Sequence, residues 1–255
     1  MSDRPKIVTA CMIVIGNEIL SGRTQDANLA WIAVRLNDLG VRLMEARVIP
    51  DVEQVIVDTI NDVRRRFDYV FTSGGIGPTH DDITADCVAK AFGVGIGVHP
   101  EAKRILEAHY IQQKSEFNEA RMRMARVPFG GTLIENPVSK APGFRMENVF
   151  VMAGIPAVMR AMFESIRHEL VGGAKVLSRT VSSFLPEGKF AAGLGALQVR
   201  YPDLDIGSYP FYRQGKPGAS IVIRGTEAPM LSEATDELRA LIVELGGEPL
   251  ETDPA

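Results

Sequence analysis

A run of almost uninterrupted apolar and β-branched residues near the amino terminus sets the strongest limit on the fold. The run follows Lys6, reads IVTACMIVI and ends at Ile15. A strand that is apolar at successive positions buries both of its faces, as strands inside parallel sheets do, whereas a half-exposed strand alternates. Parallel strands need long crossover connections, usually helices. The run therefore predicts a strand inside an α/β layer fold.

The next segments supply those crossovers. A loop over 16–25 precedes a helix that ends near Gly40, and Val41–Ile49 is the next predicted strand. A second amphipathic helix follows Pro50, and another strand is predicted over 68–72. Strands alternating with helices imply right-handed crossovers and a three-layer, doubly wound, mostly parallel sheet. The ligand site of such a sheet lies at the carboxyl ends of its strands.

The rest of the first half predicts shorter elements. Helices are expected over 100–110, 116–126 and 157–170, and the arginines of the second one are interpreted as a solvated face. Short strands are expected over 131–135, 143–146 and 149–152, with a hairpin turn at Glu147-Asn148. The arginines in question are Arg121, Arg123 and Arg126.

A double glycine at 172–173 suggests a break between two domains. We expect one domain over 1–172 and a second over 173–255. The second has the predicted order β-α-β-β-α, which describes a small α+β lobe. Its turn over 214–218 is interpreted as a plain chain reversal, although a Gly-Lys turn can also contact a phosphate backbone.

Composition indicates a globular protein of the cytoplasm. The chain has 255 residues, of which 45% are hydrophobic and 24% charged, and no run long enough to span a membrane. Cys11 and Cys87 lack the spacing of a metal site or a disulfide framework, which suits a reducing compartment. A net charge of −4 argues against a broad nucleic-acid surface, although a local basic face remains compatible with it. We therefore expect no membrane and no nucleic acid as partners.

The segment TSGGIGPTHDDIT over 72–84 carries the chemistry. It follows a predicted strand and leads into a predicted helix, and the glycines at 74, 75 and 77 let backbone amides approach an anion. Asp81 and Asp82 would repel a bare phosphate unless a divalent metal lay between them. The segment predicts a site for a phosphate and a metal.

Four ordered motifs carry a family resemblance. They are GNEIL from Gly16 with Gly22, Asp26 and Asn28; the glycine segment; Asn136 with APGF from Ala141; and GIP from Gly154 with Met159. With these motifs the chain resembles the competence/damage-inducible protein A (CinA) family, whose main domain is a molybdopterin-binding domain of the MoaB/Mog type, and its second lobe resembles the KH-like subdomain of that family. The chain ends without room for the nicotinamide mononucleotide deamidase domain of longer members, so deamidation is not expected.

The resemblance implies roles for individual residues. Asp82 matches an aspartate implicated in catalysis and Asp51 a second acidic position, although either could instead cap the helix that follows it. Asp81 and Asp82 are the expected ligands of a divalent ion such as Mg²⁺, Mn²⁺ or Co²⁺. The residues expected to bind substrate or phosphate are Gly16, Glu18, Asn28, Ser73, Gly74, Gly75, Gly77, Thr79, Lys140 and Gly143. The sequence departs from the family pattern in three places: at Asn17, at the pair Ser139-Lys140 and at Val158.

No nucleophile, base and acid constellation is visible in the sequence, so water is the expected nucleophile. The resemblance implies a metal-dependent nucleotide pyrophosphatase, a hydrolase acting on ADP-ribose or FAD. Two alternatives stay open: molybdopterin binding with adenylyl transfer in molybdenum cofactor biosynthesis, and a non-catalytic binding protein. The expected partners are a small-molecule nucleotide or pterin and further copies of the chain in a dimer or trimer.

Overall fold

The computed structural model describes residues 7–213 and 215–251, which form two compact units. One unit ends at Ala174 and the other begins at Lys175, two residues beyond the predicted boundary. Within the described ranges, no helix is long and apolar enough to cross a membrane. Each unit is built on its own sheet.

The first unit contains a six-stranded sheet in the order β2-β1-β3-β8-β7-β6. β1 pairs in parallel with β2 and β3, and β3 pairs in parallel with β8, whereas β7 is antiparallel to both β8 and β6. The expected mostly parallel sheet is thereby confirmed. The strands of this unit are β1 (Val8–Ile15), β2 (Val41–Ile49), β3 (Tyr69–Ser73), β4 (Ile96–Val98), β5 (Arg126–Pro128), β6 (Thr132–Ile134), β7 (Gly143–Met146) and β8 (Val149–Met152).

Helices cover both faces of this sheet. Alternate residues of β1 point to opposite sides: Met12 packs in the core with α2 and α7, and Ile13 packs in the core with α3 and α4. Both side chains are fully buried, as the apolar run predicts. The helices are α1 (Asn17–Leu20), α2 (Asn28–Asp38), α3 (Glu53–Val63), α4 (Thr84–Phe92), α5 (Pro100–Gln112), α6 (Glu119–Met122) and α7 (Pro156–Ile166).

An aromatic cluster fills the core on the α2 side. The rings of Phe71 and Phe150 stack with centroids 5.3 Å apart, and Phe163 of α7 contacts Phe71 at 5.9 Å. Trp31 of α2, the single tryptophan of the sequence, meets Phe163 edge to face at 5.4 Å. The cluster fixes α2 and α7 against the sheet.

The strand order reverses between β1 and β3. From β1 the chain crosses to β2 on one side, and from β2 it returns to β3 on the other side of β1. The loops that leave the carboxyl ends of β1 and β3 therefore diverge and leave a crevice between them, which is where open α/β sheets bind ligands. The glycine segment begins at this point.

The predicted helix over 116–126 is wrong. Only Glu119–Met122 is α-helical; a 3-10 turn follows, and Arg126 begins β5, which pairs with β4. Arg126 forms a double ion pair with Asp86 of α4, with Nη1 to Oδ2 at 2.9 Å and Nη2 to Oδ1 at 2.7 Å. Arg121 lies over the ring of Tyr110. The side chains of Arg121 and Arg126 therefore make contacts within the folded unit and do not form a solvated face.

The second unit is the expected small α+β lobe. Its three strands form an antiparallel sheet in the order β10-β11-β9, and α8 and α9 pack on one of its faces. β11 begins at Lys216, so the turn before it is shorter than predicted, and Gln214 lies outside the described residues. The elements are β9 (Leu177–Ser183), α8 (Glu187–Arg200), β10 (Asp205–Arg213), β11 (Lys216–Gly225) and α9 (Ala228–Glu244).

Candidate functional site

Gly74 joins three strand ends at the crevice. Its N–H donates to the Met152 carbonyl oxygen at the end of β8, at 3.1 Å, and its φ is +112°. A Cβ at this position would overlap the carbonyl oxygen of Ile15, the last residue of β1. Gly74 is therefore required for backbone packing, and its amide is not available to a phosphate, which corrects its expected role.

The next three residues have backbone amides that no group in the described residues accepts from. Among the hydrogen bonds of residues 7–213, none uses the N–H of Gly75, Ile76 or Gly77. Thr84, the first residue of α4, fixes this loop: its N–H donates to Gly75 O at 3.0 Å and its hydroxyl to Gly74 O at 3.1 Å. Consecutive amides beside a helix amino terminus bind anions. Sequence reasoning gave Thr84 no role, although it is the residue that holds the loop.

Asp82 closes the same loop. Its Oδ2 accepts from the Thr79 N–H at 2.8 Å and from the Thr79 hydroxyl at 2.5 Å. The carboxylate lies over Gly77, where a Cβ would be 2.6 Å from Oδ2. Because α4 begins at Thr84 and has no side-chain cap, the interpretation of Asp82 as a helix cap is wrong. From the other side, Nη2 of Arg123 donates to Asp82 O at 3.3 Å.

Asp81 is the exposed neighbour of this carboxylate. A hydrogen bond from Thr79 lowers the pKa of Asp81, so its side chain is charged at neutral pH. Over the described ranges, no group of three or more His, Cys, Asp or Glu side chains could enclose a metal. Mg²⁺ often binds through one or two carboxylates and the phosphates of a substrate. The residues present fit a metal held in that shared way.

The first loop is fixed by Asp51. Gly16 donates its N–H to Ile49 O at 3.1 Å, and Asn17 donates its N–H to Asp51 Oδ2 at 2.8 Å. The Asp51 carboxylate therefore holds the start of α1 and does not cap α3, whose amino end has no side-chain cap. Glu18 is exposed on α1, with its carboxylate beside the buried Gly16. Asp51 and Glu18 thus both lie beside the loop that follows β1.

Asn28 carries the clearest sign of a missing partner. It is 3% exposed, and its Nδ2 donates to Ser73 Oγ and to Gly154 O, both at 2.7 Å. Its Oδ1 is buried and has no hydrogen-bond partner. Leaving a buried acceptor unpaired costs about 1–3 kcal/mol, so this oxygen points to a donor that a ligand or water supplies.

The nucleophilic side chains near the crevice are engaged or protonated. Ser73 Oγ accepts from Asn28 and donates to Ala153 O at 3.4 Å. Burial raises the pKa of Cys11 to about 11 and that of Cys87 to about 12, so neither is a thiolate at neutral pH. None of these three side chains is therefore an activated nucleophile.

A second loop leaves the sheet at the same edge, after β6. Asn136 holds it: Oδ1 accepts from Val138 N at 3.0 Å and Ser139 N at 3.2 Å, and Nδ2 donates to Ala141 O at 2.8 Å. Lys140 adopts a φ of +64° and lines a cavity of about 890 Å³ between this loop and α5. In the sheet order β6 lies three strands from β3, which corresponds to about 14 Å.

The chain matches two family models. Residues 11–172 match a probable molybdopterin-binding domain, and residues 175–245 match the middle domain of FAD synthase. The protein CinA of Thermoplasma acidophilum, of unknown function, aligns with a TM-score of 0.59 and 30% identity over 64% of this chain and 99% of that one. This chain belongs to the CinA family.

Sequence relatives of this CinA-family chain include short and long proteins. A protein of Aeropyrum pernix is 32% identical over 99% of both chains. A CinA-like protein of Myxococcus xanthus is 30% identical over 91% of this chain, and the alignment covers 57% of the longer relative.

In this CinA-family protein the predicted residues fall into two groups. Lys140 and Gly143 lie on the β6–β7 side of the sheet. Gly143 is buried, and a Cβ there would overlap Val151 O, so packing accounts for this glycine and its phosphate contact stays a prediction. The remaining predicted residues lie at the carboxyl ends of β1, β2 and β3 or, in the case of Asn28, contact them: Gly16, Glu18, Asn28, Asp51, Ser73, Gly74, Gly75, Gly77, Thr79, Asp81 and Asp82.

Proposed function

We propose that this protein is a metal-dependent hydrolase of nucleotide phosphoanhydrides, of the ADP-ribose or FAD type. The observation that carries the proposal is the run of three unpaired amides, Gly75 to Gly77, directly beside Asp81 and Asp82. An anion cradle next to two carboxylates suits a diphosphate that brings a cation with it. The match of the second unit to a domain of FAD synthase supports a flavin dinucleotide among the substrates.

The chain's own residues bind and orient the substrate. The amides of Gly75, Ile76 and Gly77 hold the diphosphate, and Asn28 Oδ1 accepts a hydrogen bond from a ligand hydroxyl or an ordered water. Asp82, with Asp81 or Asp51, would hold the metal. A bound divalent ion supplies Lewis acidity toward the phosphoryl oxygens. Water attacks one phosphorus, the bridging P–O bond breaks, and two phosphate monoesters result.

The cavity beside Lys140 suits one end of an extended dinucleotide. It borders β6, which lies about 14 Å from β3 across the sheet, and it is lined by both apolar and charged side chains. We propose that it accepts the nucleoside or sugar half that the glycine loop does not hold, with Lys140 near a phosphate or hydroxyl of that half. Pockets for small ligands have volumes of about 300–1,000 Å³, which includes this one.

The test is a screen of ADP-ribose, FAD and NAD with Mg²⁺, Mn²⁺ and Co²⁺, in which released AMP is measured by chromatography. Asp82→Asn keeps an oxygen that accepts from Thr79 N–H but removes the charge, so we expect turnover to fall about 100-fold or more with the loop intact. Unchanged metal-dependent turnover by Asp82→Asn on every dinucleotide would contradict the proposal.

Thr79→Val is the matched control for this experiment. It removes the hydroxyl that donates to Asp82 but keeps both the Asp82 charge and the backbone donor of residue 79. We expect a loss of turnover below about tenfold. A loss equal to that of Asp82→Asn would mean that loop geometry, and not the carboxylate charge, controls the reaction.

Molybdopterin adenylylation is the second candidate, and the description of the matching family favours it. The same amides would then hold the phosphates of ATP and of the pterin. AMP formed from ADP-ribose or FAD without pterin supports hydrolysis, whereas ATP consumption that requires molybdopterin supports transfer. A protein that binds these ligands without either reaction would be the non-catalytic alternative. The dimer or trimer that the resemblance implies also stays a prediction, which sedimentation would check.

A further inference from the structure

The three-stranded sheet of the second unit has one face without helices. Ile221 and Ile223 of β11 pack against α8 and α9 and are fully buried. Because side chains alternate along a strand, the residues between them face the other way. The register places these side chains on the open face: Ser178, Thr180 and Ser182 of β9; Asp205, Tyr209, Phe211 and Arg213 of β10; and Lys216, Ser220, Val222 and Arg224 of β11.

Two aromatic rings lie flat on this open face. A Cβ on Gly207 would be 3.1 Å from the ring of Tyr209, and one on Gly218 would overlap the ring of Phe211. The glycines thus leave room for the rings to rest on the backbone, and Tyr209 is 48% exposed. Tyr209 and Phe211 are two residues apart on the same strand, so their Cα atoms are about 6.8 Å apart. Phe211 is half-buried, and its ring also meets Phe184 edge to face at 5.6 Å. Rings that a sheet leaves accessible are platforms on which nucleobases stack.

Cations accompany the rings. The guanidinium carbon of Arg213 lies 5.2 Å from the Phe211 ring centre, and that of Arg224 lies 5.7 Å from the Tyr209 ring centre. Arg224 also donates from Nη2 to the Tyr209 hydroxyl at 3.0 Å and pairs with Asp205 at 3.3 Å. With Lys216, the open face has three cations and one carboxylate, a net charge of +2.

The opposite side of the sheet has the opposite sign. The two helices on that side, α8 and α9, together contain five acidic and three basic residues, a net charge of −2. The overall charge of −4 therefore hides a basic face on this unit. A second copy docked face to face would bring +2 against +2, so charge disfavours a dimer through this surface.

We propose that the open face of β9, β10 and β11 binds single-stranded nucleic acid, with successive bases stacked on Tyr209 and Phe211 and the phosphates near Arg213, Lys216 and Arg224. A hollow of about 340 Å³ lies on this face between the rings and Thr180, Ser220 and Val222. The half-buried hydroxyl of Thr180 offers a hydrogen bond to a base or sugar edge. This inference does not depend on the proposed hydrolysis.

The test uses the full chain and a fluorescent oligouridylate of about ten nucleotides, with anisotropy measured at low salt and again at raised salt. We expect binding that weakens steeply with salt. Tyr209→Leu removes one platform and should weaken binding about tenfold, with the salt dependence unchanged. Lys216→Gln should lower the slope of log K against log salt by about one.

Tyr212→Leu is the matched control, because Tyr212 is a more exposed tyrosine on the same strand that points to the other face. It should bind as the unchanged chain does. Circular dichroism verifies that each variant is folded. No binding at low salt, or equal affinities of Tyr209→Leu and Tyr212→Leu, would overturn the proposal. A dimer that Tyr209→Leu dissociates would also overturn it, since the rings would then be buried between two copies.

Discussion

The two sheets of this protein differ in how many of their faces are covered. The six-stranded sheet has helices on both faces, so Met12 and Ile13 of its inner strand β1 are each fully buried although they point in opposite directions. The three-stranded sheet is covered on one face, so Ile221 is buried and its neighbour Val222 is half-buried.

The difference decides where each sheet can bind a ligand. A sheet covered on both faces offers only the ends of its strands, where the loops supply polar groups. A sheet covered on one face offers its open side as a flat surface. The first unit accordingly places Asn28, Asp82 and the free amides at a strand edge, and the second places Tyr209 and Phe211 on a face.

Of the substitutions considered, Gly74→Ala should destabilise the first unit most. The methyl group would overlap Ile15 O, which is backbone and cannot move aside, and φ is +112°. We expect a loss of about 4 kcal/mol or more in the free energy of unfolding of the first unit. Urea titration monitored by the reactivity of the two cysteines, both of which lie in the first unit, measures it.

Gly93→Ala is the control for that change. Gly93 also has a positive φ, +66°, but a Cβ there would meet nothing within 4 Å. We expect a cost of about 1 kcal/mol. Similar costs for the two variants would mean that φ alone, and not the contact with β1, makes Gly74 necessary.

Alanine substitutions at neighbouring strand positions test the comparison itself. Met12→Ala and Ile13→Ala should each cost about 3 kcal/mol, because both create cavities in a filled core. Ile221→Ala should cost about as much, whereas Val222→Ala should cost less than about 1 kcal/mol. Denaturant unfolding measures all four. A large cost for Val222→Ala would show that the open face is covered in solution.

One ion pair from each unit should also differ in its contribution to stability, with the larger contribution in the first unit, but the difference should be smaller than that between the core substitutions. Arg126 and Asp86 form a double pair in which each side chain is 30% exposed, and it ties β5 to the first turn of α4. Arg200 pairs with Glu237 in the second unit with 62% of its own side chain exposed. Arg126→Leu should cost about 1–2 kcal/mol and Arg200→Leu at most about 0.5 kcal/mol. Equal losses in thermal unfolding would contradict the distinction.

Alkaline pH should destabilise the first unit by way of its buried cysteines. Burial raises the pKa of Cys87 from an ordinary 9.0 to about 12. The folded state therefore holds the proton more tightly than the unfolded state, so this contribution is complete below pH 9 and is lost as pH rises toward 12. Cys87→Ser, which does not ionise in this range, should flatten the alkaline decline in the unfolding midpoint of the first unit. An unchanged decline would assign it to other groups.

The sequence predicted those parts of the fold that depend on local pattern. The apolar run of β1, the helix with buried Ile56 and Ile60, and the turn at Glu147-Asn148 are found where they were expected. These elements are determined by the spacing of apolar residues and by the residue types of turns, both of which can be read from residues adjacent in the sequence. The glycine segment was predictable for the same reason, since it stands between a strand and a helix.

Other features depend on partners far along the chain. The residues around Arg126 have the pattern of a helix. In the structure Arg126 begins strand β5, and its side chain pairs with Asp86, which is 40 residues away in the sequence. The amide of Gly74 is used by Met152, which no local pattern indicates. The unpaired Asn28 Oδ1 emerges only when the ends of β3 and β8 are brought together around it. The sequence motifs indicate where the candidate site lies, whereas the hydrogen bonds of its individual residues depend on tertiary contacts.

The position of Trp31 gives this protein a built-in optical reporter. Its indole lies one helical turn after Asn28 and against the ring of Phe163. Because the sequence has no other tryptophan, emission excited at the red edge of the protein band comes from this single residue. Ligand capture at Asn28 and loosening of α2 will therefore be visible as changes in intensity and wavelength, without any dye attached to the chain.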